Sequence, residues 1–283
     1  MKPQALVNGE TADRVSILDR GLQFGDGLFE TIAVQNENPL LWERHARRLI
    51  AGARRLGIEL AEPMSWQNEV FRLCRGIEQG VLKITVTRGT SERGYSINPN
   101  AAPTRILSIS PWPGYSAANA HDGVAVRICR TRLGRNPELA GIKHLNRLEQ
   151  VLARMELNDA FAEGVMCNDA NYVIEGTMSN LFLVQAGTVR TPDLSDCGVA
   201  GVMRETVLDQ LRQLGVAARV EPVTLDELFQ ADEVFITNSL IGIWPVRRLA
   251  KSDQDPGHEF PVGATTKQIQ IAIQDRYISG KRA

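Results

Sequence analysis

Residues 132–150 read RLGRNPELAGIKHLNRLEQ, and they bring a single lysine to the point where a loop containing Gly and Pro enters a helix. Lys143 is the only lysine between Lys83 and Lys251. The helix is indicated by apolar residues spaced i, i+3, i+4 and i+7, which are Leu148, Val151, Leu152 and Met155. A lysine held against apolar neighbours has a lowered pKa and can act as a nucleophile or base. A solvated loop lysine is the alternative that its position leaves open.

A carboxylate interrupts an apolar strand about thirty residues further along the chain, in the stretch Tyr172-Val-Ile-Glu-Gly-Thr-Met-Ser-Asn-Leu-Phe182. Burying Glu175 there is costly unless the carboxylate has a partner, and a pyridinium N–H is one such partner. A turn glutamate in water is the alternative.

Two segments have the composition of anion-binding sites. Gly198-Val-Ala-Gly-Val-Met-Arg-Glu205 places small residues directly before a helix, so that the amides of Val202 and Met203 are available to a phosphate, helped by the helix dipole. Thr237-Asn-Ser239 ends a strand with three side chains that form hydrogen bonds. Either segment alone is a common pattern, and both become informative only in combination with others.

Two further segments carry clustered positive charge. The stretch Leu41–Leu56 is an amphipathic helix by its periodicity, with His45-Ala-Arg-Arg-Leu49 on it, and Gly57 stands where it should end. The loop Arg88-Gly-Thr-Ser-Glu-Arg-Gly-Tyr95 offers two guanidinium groups that are suited to clamping carboxylates. The alternatives are a solvated helix face and a hairpin turn with exposed charges. Phe24-Gly-Asp-Gly-Leu-Phe-Glu30 is typical of a tight turn that leads into a strand.

The order of predicted elements indicates a mixed α/β (α+β) fold without the regular β-α-β alternation of a Rossmann sheet. The predicted strands are 81–87, 105–110, 124–130, 165–168, 172–174, 181–184, 188–190 and 232–237, and the further helices are 203–214, 225–230 and 264–277. Residues 181–190 are predicted to form a hairpin, and Thr224 with Glu227 is predicted to form a capping box. The Pro- and Gly-containing stretch 111–120 is a predicted linker between an N-terminal domain, 1–113, and a C-terminal domain, 121–283, that carries Lys143.

Composition excludes several classes of protein. The chain has 283 residues, 43% of them hydrophobic, and a formal net charge of −1, which is typical of a globular protein and argues against disorder and against nucleic-acid binding driven by bulk charge. The four cysteines and four histidines lack the spacing of a metal site or a disulfide framework, so no metal is expected. No apolar run suits a signal peptide or a membrane helix, and we expect a cytoplasmic protein with thiol cysteines.

Taken together, the motifs resemble those of one enzyme family. The chain contains, in order, F-G-D-G-x-F-E, H-x-x-R-L, G-I-K-H-L-N-R-L-E, E-G-x-x-S-N-L-F, G-V-M-R and T-N-S. This order resembles the fold type IV enzymes that depend on pyridoxal 5'-phosphate (PLP), which include branched-chain and D-amino-acid aminotransferases and 4-amino-4-deoxychorismate lyases. The resemblance covers about residues 6–246. Within the family, residues 88–95 and 132–150 resemble the bacterial aminodeoxychorismate lyases in particular.

The resemblance implies a two-domain fold of the D-amino-acid aminotransferase type, a homodimer, and a role for individual residues. Lys143 matches the lysine to which PLP is covalently attached, and Glu175 matches the acid that pairs with the pyridine nitrogen. Arg48, rather than its neighbour Arg47, matches an arginine that binds the phosphate. The other phosphate-binding positions are Val202 and Met203 with their amides, and Asn238 and Ser239, where many relatives carry Gly-Thr.

The implied reaction converts 4-amino-4-deoxychorismate to 4-aminobenzoate and pyruvate in folate biosynthesis. Lys143 would act as the general base, and Glu175 would keep the pyridine nitrogen protonated. Arg88, Arg93 and Tyr95 are the candidates for binding the substrate carboxylates. Two alternatives stay open. One is a PLP-dependent aminotransferase for D-amino acids or branched-chain amino acids, and the other is a binding protein of the same fold that has lost its cofactor.

Overall fold

A computed structural model describes residues 4–61 and 65–274 of the chain. The chain forms two compact units, one of Met1–Pro113 with Ile142–Asn146 and the other of Gly114–Gly141 with Arg147–Ala283. The domain limits 1–113 and 121–283 and the linker at 111–120 stay predictions. The units differ from that division at Ile142–Asn146, because the segment that carries Lys143 pairs with a strand of the first unit although we expected it in the second domain.

The first unit is an antiparallel sheet with helices. Its helices are α1 (Arg20–Phe24), α2 (Trp42–Leu56) and α3 (Gln67–Cys74), and its strands are β1 (Gln4–Val7), β2 (Glu10–Thr11), β3 (Gly27–Gln35), β4 (Asn38–Pro39), β5 (Gln79–Thr87) and β6 (Thr104–Pro111). Among the described residues the strand order is β2-β1-β6-β5-β3-β4, and every neighbouring pair is antiparallel. Helix α2 packs on β3, and its residues Leu49 and Ala53 are buried.

The second unit is a larger mixed sheet with helices packed on it. Its helices are α4 (Ala118–His121), α5 (Leu148–Met155), α6 (Val202–Gln213), α7 (Leu225–Phe229) and α8 (Ala264–Ile273). Its strands are β7 (Val124–Leu133), β8 (Glu163–Asn168), β9 (Tyr172–Gly176), β10 (Asn180–Gln185), β11 (Thr188–Pro192), β12 (Ala218–Glu221), β13 (Val223–Thr224), β14 (Glu233–Asn238), β15 (Gly242–Ala250) and β16 (His258–Glu259).

Strand order in the second unit is β12-β11-β10-β14-β15-β7-β8-β9-β13, with β16 paired to β15. Strand β7 runs parallel to β15 and β8, β11 runs parallel to β12, and the other neighbouring pairs are antiparallel. The core is built from branched apolar side chains of the central strands, including Val126, Val165, Leu181, Val234 and Ile236. This mixed topology confirms the expectation of an α/β fold that is not a Rossmann sheet.

Local signals in the sequence predicted several elements well. Gly57 ends α2 in the left-handed conformation with φ of 63°, where a residue without Cβ is favoured. The turn Ala186-Gly187 joins β10 and β11 with positive φ at both residues, as a two-residue hairpin requires. The capping box of Thr224 and Glu227 opens α7. The helix predicted over 264–277 corresponds to α8, which extends to Ile273. Residues 275–277 of the prediction lie outside the described residues.

Three further features of the fold concern helix α5, the cysteines and the length of the helices. The apolar stripe of α5 is not buried within the chain, since Leu148 and Met155 are 76% and 77% exposed and only Ala153 of this helix is buried. All four cysteines are buried free thiols, as expected. No helix in residues 4–61 and 65–274 is long and apolar enough to cross a membrane.

Candidate active site

The backbone around Lys143 is fixed by strand β3. The amide of Phe29 donates a hydrogen bond to the carbonyl oxygen of Lys143 over 2.9 Å, and the amide of Leu145 donates to the carbonyl oxygen of Gly27 over 2.9 Å. A Cβ at Gly27 would lie 2.3 Å from the carbonyl oxygen of Val86 and 2.8 Å from the Leu145 side chain, so only glycine fits there. The side chain of Lys143 is half-buried, and its Nζ lies 4.4 Å from the centre of the Phe29 ring.

The turn before β3 also contacts the lysine segment. Gly25 ends α1 with φ of 67°, and a Cβ there would lie 2.4 Å from Oδ1 of Asn146. The Asn146 side-chain amide donates to the carbonyl oxygen of Gly25 over 3.2 Å. The glycines of the F-G-D-G motif therefore provide the close approach that lets the lysine segment lie along β3.

Glu30, the residue of β3 that follows Phe29, forms a cluster of charged and polar side chains with two residues of α2. The carboxylate of Glu30 accepts from Nε and Nη2 of Arg48, over 2.8 and 2.5 Å, and lies 2.6 Å from Nδ1 of His45. Burial raises the pKa of Glu30, but the Arg48 charge and the hydrogen bonds from His45 and Arg48 outweigh it and lower that pKa to about 2. Burial lowers the pKa of His45 despite the neighbouring Glu30, and the charges of Arg48 and Lys143 lower it further.

The two adjacent arginines of α2 have different surroundings. Arg48 is half-buried beside Glu30, whereas Arg47 is exposed. Arg48 and Lys143 each contact one of two consecutive β3 residues, Glu30 and Phe29. The structure thus places the side chains of Arg48 and Lys143 against neighbouring residues of β3.

In the second unit, Glu175 is buried on β9. Its Oε2 accepts a hydrogen bond from the amide of Val199 over 2.8 Å. The carbonyl oxygen of Val199 accepts from the Asn180 side-chain amide over 2.8 Å, which fixes the loop before α6. Gly198 has φ of 87°, and a Cβ there would lie 2.7 Å from Ile174 and 3.4 Å from Oε2 of Glu175. The glutamate that we expected to require a partner is thus buried with a backbone amide as a partner, and it does not lie in a solvated turn.

Val202 and Met203 form the first turn of α6 and are both buried. Gly201 precedes them, and a Cβ there would lie 2.0 Å from Oδ1 of Asn180. The first amides of a helix have no acceptor within the helix and lie at the positive end of its dipole. The structure thus places Val202 and Met203 at the start of a helix, and their role in binding an anion stays a prediction.

Asn238 ends β14, and Ser239 follows it. The Asn238 side-chain amide donates to the carbonyl oxygen of Met178 over 3.0 Å, and its Oδ1 accepts from the amides of Leu240 and Ile241. Asn238 therefore ties its own turn to the turn that follows Glu175.

The loop of residues 88–95 is anchored by buried arginines. Arg88 is buried, and its Nε and Nη2 donate to Asp26 over 2.8 and 3.0 Å, while its Nη1 and Nη2 also donate to the carbonyl oxygens of Gly57 and Leu56. Arg20 also pairs with Asp26, over 2.8 Å. We expected Arg88 to point towards substrate or solvent, but its contacts make it an anchor of the loop.

Arg20 was not identified from the sequence. Its guanidinium group donates to Oγ of Ser91 and to the carbonyl oxygens of Gly94, Tyr95 and Ser96. Arg93 is exposed, and Tyr95 is 83% exposed with its ring 5.3 Å from that of Phe24. Of the three predicted substrate residues, these two are the ones that the loop presents to solvent.

Other residues missed from the sequence are the buried carboxylates of Glu30 and Glu163 and the half-buried Arg204. Neither Glu30, which lies in the motif of residues 24–30, nor Glu163 has a role that the sequence alone indicates. Arg204 of α6 lies close enough to Glu175 and Asp193 for their charges to raise its pKa, although burial lowers that pKa overall. A charged residue inside an otherwise apolar strand, such as Glu30 in β3, was the available signal.

A family model described as amino-transferase class IV matches residues 27–249. The chain belongs to this family. It is 38% identical over 265 residues to an aminodeoxychorismate lyase of Vibrio harveyi, covering 93% of this chain and 97% of the relative. It is 30% identical over 293 residues to a D-alanine aminotransferase of Bacillus licheniformis, covering 98% of each.

A solved structure is similar over nearly the whole chain. The crystal structure of 4-amino-4-deoxychorismate lyase from Pseudomonas aeruginosa superposes with a TM-score of 0.91 at 47% identity, covering 96% of this chain and 98% of that chain. The expectation of a fold of type IV, shared with the aminotransferases of this family, is thereby confirmed.

Proposed function

We propose that this protein is a PLP-dependent lyase that converts 4-amino-4-deoxychorismate to 4-aminobenzoate and pyruvate, a step of folate biosynthesis. The observation that carries the proposal is the 47% identity, over 96% of the chain, to a solved 4-amino-4-deoxychorismate lyase. The Vibrio relative of the same name supports it independently, with 97% of its length covered.

The residues present suit the proposed cofactor. A primary amine, Lys143, is fixed by backbone pairing to β3, and a buried carboxylate, Glu175, is held by the loop before α6. The start of α6 provides amides for a phosphate. Val202 and Met203 are buried there, and Gly198 and Gly201 precede them at positions where a Cβ would clash with a neighbour. PLP, when bound, supplies an electron sink for the carbanion that forms when a C–H bond breaks.

Lys143 has two tasks in this proposal. It holds the cofactor covalently, and once the substrate amine has displaced it, its amine removes the proton from C4 of the substrate. The C3–O bond then breaks, its electron pair leaves with the enolpyruvyl oxygen, and the ring becomes aromatic; the enolpyruvyl group becomes pyruvate when its methylene carbon takes up a proton. Lys143 is also the residue that can return the proton to the departing enolpyruvyl group. Glu175 keeps a proton on the pyridine nitrogen, because an ionised carboxylate favours the charged form of its partner.

The phosphate of the cofactor is assigned to residues of several elements. Arg48 supplies a permanent positive charge whose orientation is set by Glu30. Val202 and Met203 supply the amides at the start of α6, and Asn238 and Ser239 supply the turn after β14. Each of these assignments follows the family motif position by position.

For the substrate carboxylates we retain the loop of residues 88–95. Arg93 and Tyr95 are the proposed ligands, because both are exposed on the loop that Arg20 holds. Arg88 belongs to the same set by sequence, and its bonds to Asp26 and to two carbonyl oxygens favour a supporting role in that loop.

An aminotransferase is the second candidate, favoured by the 30% identity to a D-alanine aminotransferase. The two reactions share the removal of a proton by Lys143 and differ in the fate of the carbanion. Purified protein is supplied with D-alanine and 2-oxoglutarate, with a branched-chain amino acid and 2-oxoglutarate, and with aminodeoxychorismate made from chorismate by an amidating synthase. Formation of 4-aminobenzoate in the aminodeoxychorismate reaction, with no glutamate in the two reactions that contain an amino acid and 2-oxoglutarate, supports the lyase. Glutamate in either of those two reactions, without 4-aminobenzoate in the other, supports the aminotransferase.

We also propose a cytoplasmic homodimer. The exposed apolar stripe of α5, formed by Leu148, Val151, Leu152 and Met155, is the kind of surface that a second copy of the chain covers.

Borohydride reduction of the coloured protein followed by peptide mapping tests the cofactor assignment directly. We expect a phosphopyridoxyl group on Lys143 and no other lysine. Modification of another lysine, or a protein that stays colourless with added PLP and absorbs nothing near ~410 nm, would refute the proposal and favour a binding protein of the same fold.

A further inference from the structure

Glu163, at the start of β8, is a fully buried carboxylate in the second unit. Its Oε1 accepts from the amide of Gly164 over 2.9 Å, from the amide of Thr177 over 3.0 Å and from the hydroxyl of Thr177. Its Oε2 accepts from the amide of Met178 over 3.2 Å and from the hydroxyl of Ser179 over 2.7 Å. One side chain thus binds three consecutive residues of the turn between β9 and β10.

Position 163 requires a carboxylate because the backbone groups around it are hydrogen-bond donors. The amides of Gly164, Thr177 and Met178 are obligatory donors, and an ionised carboxylate is an acceptor at both oxygens. A glutamine would turn an N–H group towards one set of these donors and leave a buried amide without an acceptor. The turn is also closely packed, since a Cβ at Gly176 would lie 2.3 Å from the Ser179 hydroxyl and 2.8 Å from the Glu163 carboxyl carbon.

The turn of residues 176–179 connects segments to which the proposed function assigns the cofactor. It directly follows Glu175 and precedes Asn180, which holds the carbonyl oxygen of Val199. The amide of the same Val199 donates to Glu175. On its other side, the carbonyl oxygen of Met178 accepts from Asn238, at the start of the second proposed phosphate-binding turn.

We propose that Glu163 is a positioning residue for the cofactor-binding loops of the second unit. It holds the 176–179 turn, and through this turn it sets the positions of Glu175, of the loop before α6 and of Asn238. This inference rests on the proposed function for the identity of the ligand, but the mechanical coupling between the loops is a property of the chain itself.

Glu233 provides a matched control. It is also a buried carboxylate, and it accepts from the amides of Thr265 and Thr266 and from the hydroxyl of Thr266, at the start of α8. Replacing it therefore removes a comparable set of buried hydrogen bonds without touching the 176–179 turn.

The experiment compares Glu163→Gln and Glu233→Gln with the unchanged protein. The cofactor-free chain is titrated with PLP, and hydrogen–deuterium exchange is followed in peptides that cover residues 176–180, 199–203 and 238–241. We expect Glu163→Gln to weaken PLP binding about tenfold or more, as the loss of a buried hydrogen-bond set predicts, and to speed exchange in all three segments. Glu233→Gln should lower the melting temperature but change PLP affinity by less than about twofold.

Two milder variants, Thr177→Val and Ser179→Ala, each remove one hydroxyl donor and leave Glu163 in place, and they serve if Glu163→Gln does not fold. Each should weaken PLP binding by a few-fold, on the order of one hydrogen bond. Equal effects of the Glu163 and Glu233 variants on PLP affinity, or unchanged exchange at 199–203 and 238–241 in every variant of the turn, would overturn the inference. If the unchanged protein binds no PLP, the proposed function fails, and the exchange measurements still decide whether Glu163 couples the loops.

Discussion

Lys143 contacts Phe29 at both ends: its carbonyl oxygen accepts the Phe29 amide over 2.9 Å, and its Nζ lies 4.4 Å from the centre of the Phe29 ring. The backbone contact fixes where the lysine starts, and the ring limits where its amine can lie. A cation over an aromatic face gains on the order of 0.5–2 kcal/mol, depending on desolvation. The amine is therefore directed by β3 rather than left on a mobile loop.

Lys143→Arg is expected to keep the fold and to abolish lyase activity. Arginine preserves the charge and stacks well on an aromatic ring, but it stays protonated and can serve neither as base nor as nucleophile. Formation of 4-aminobenzoate, measured by liquid chromatography, should fall by about 10³-fold or more.

Lys83→Arg is the matched control, because Nζ of the exposed Lys83 lies 5.5 Å from the centre of the same ring. It should retain activity to within about twofold. A Lys143→Arg variant with more than about a tenth of the normal rate would show that another group is the base.

Glu30 is expected to make stability depend on acid pH. Its pKa is lowered from 4.5 to about 2 in the folded chain, so the ionised carboxylate stabilises the fold. That contribution is fully present above the unfolded pKa, and it is lost as the pH falls from about 4.5 towards 2. Glu30→Gln should lower the free energy of unfolding by about 3 kcal/mol at neutral pH, and the difference from the unchanged protein should shrink at pH values below about 4.

Urea unfolding at several pH values between about 7 and 3 measures this difference. Glu59→Gln, at an exposed glutamate outside the cluster, is the control for the loss of one charge. A difference between Glu30→Gln and the unchanged protein that stays constant over the whole pH range would contradict the assignment of an ionised Glu30.

The sequence predicted the elements whose ends or turns depend on a few neighbouring residues. It did not predict the long-range contacts that build the candidate site. The glycine end of α2, the Ala186-Gly187 hairpin and the capping box of α7 are each decided by a few neighbouring residues. The pairing of Lys143 with Phe29 joins residues more than a hundred positions apart, and no local pattern indicates it. The family resemblance pointed to Lys143 and Glu175, but it did not indicate which unit the lysine segment joins.

The sequence also did not indicate which charged residues are buried. Arg88 looked like a solvent-facing clamp because it follows a strand and precedes a Gly-rich loop, yet Asp26 and two carbonyl oxygens make its burial favourable. In α5 the periodicity correctly predicted a helix, but periodicity does not say what covers its apolar face, which is exposed on this chain.

Arg20→Lys is expected to loosen the loop that carries Arg93 and Tyr95. Lysine has three donors on one nitrogen and cannot reproduce the fork that reaches Asp26, Ser91 and three carbonyl oxygens. Exchange of amides in residues 91–97 should become faster, and KM should rise by about tenfold with a smaller change in kcat.

The control for this variant is Arg72→Lys, because Arg72 also donates to a backbone carbonyl oxygen, that of Gly9, but lies on α3. It should leave KM unchanged. Normal loop exchange in Arg20→Lys, or an equal fall of kcat and kcat/KM, would show that Arg20 does not act through substrate binding.

Gly201→Ala is expected to weaken PLP binding without straining the backbone. The φ of Gly201 is −65°, which alanine adopts readily, but a Cβ there would lie 2.0 Å from Oδ1 of Asn180. Asn180 must then move, and its bond to Val199, in the loop before the proposed phosphate-binding amides of α6, is lost. Titration with PLP should show at least about a tenfold loss of affinity.

Gly114→Ala is the control, because a Cβ at Gly114 has no heavy atom within 4 Å among the described residues. Its PLP affinity should equal that of the unchanged chain. Should Gly201→Ala bind PLP as tightly as Gly114→Ala, the α6 amides would not be part of the phosphate site.

The exposed stripe of α5 is expected to mediate the proposed homodimer. Leu148, Val151, Leu152 and Met155 lie on one face at helical spacing and are all exposed, and leaving such a stripe in water forgoes the stabilisation that apolar burial gives. A charge in the middle of this face would have to be desolvated on association, so Leu152→Glu should shift the chain towards monomer. Light scattering coupled to size-exclusion chromatography measures the mass directly. Ile271→Glu, which alters an exposed apolar residue on α8, should leave the dimer intact, whereas a dimer that survives Leu152→Glu would place the contact on another surface.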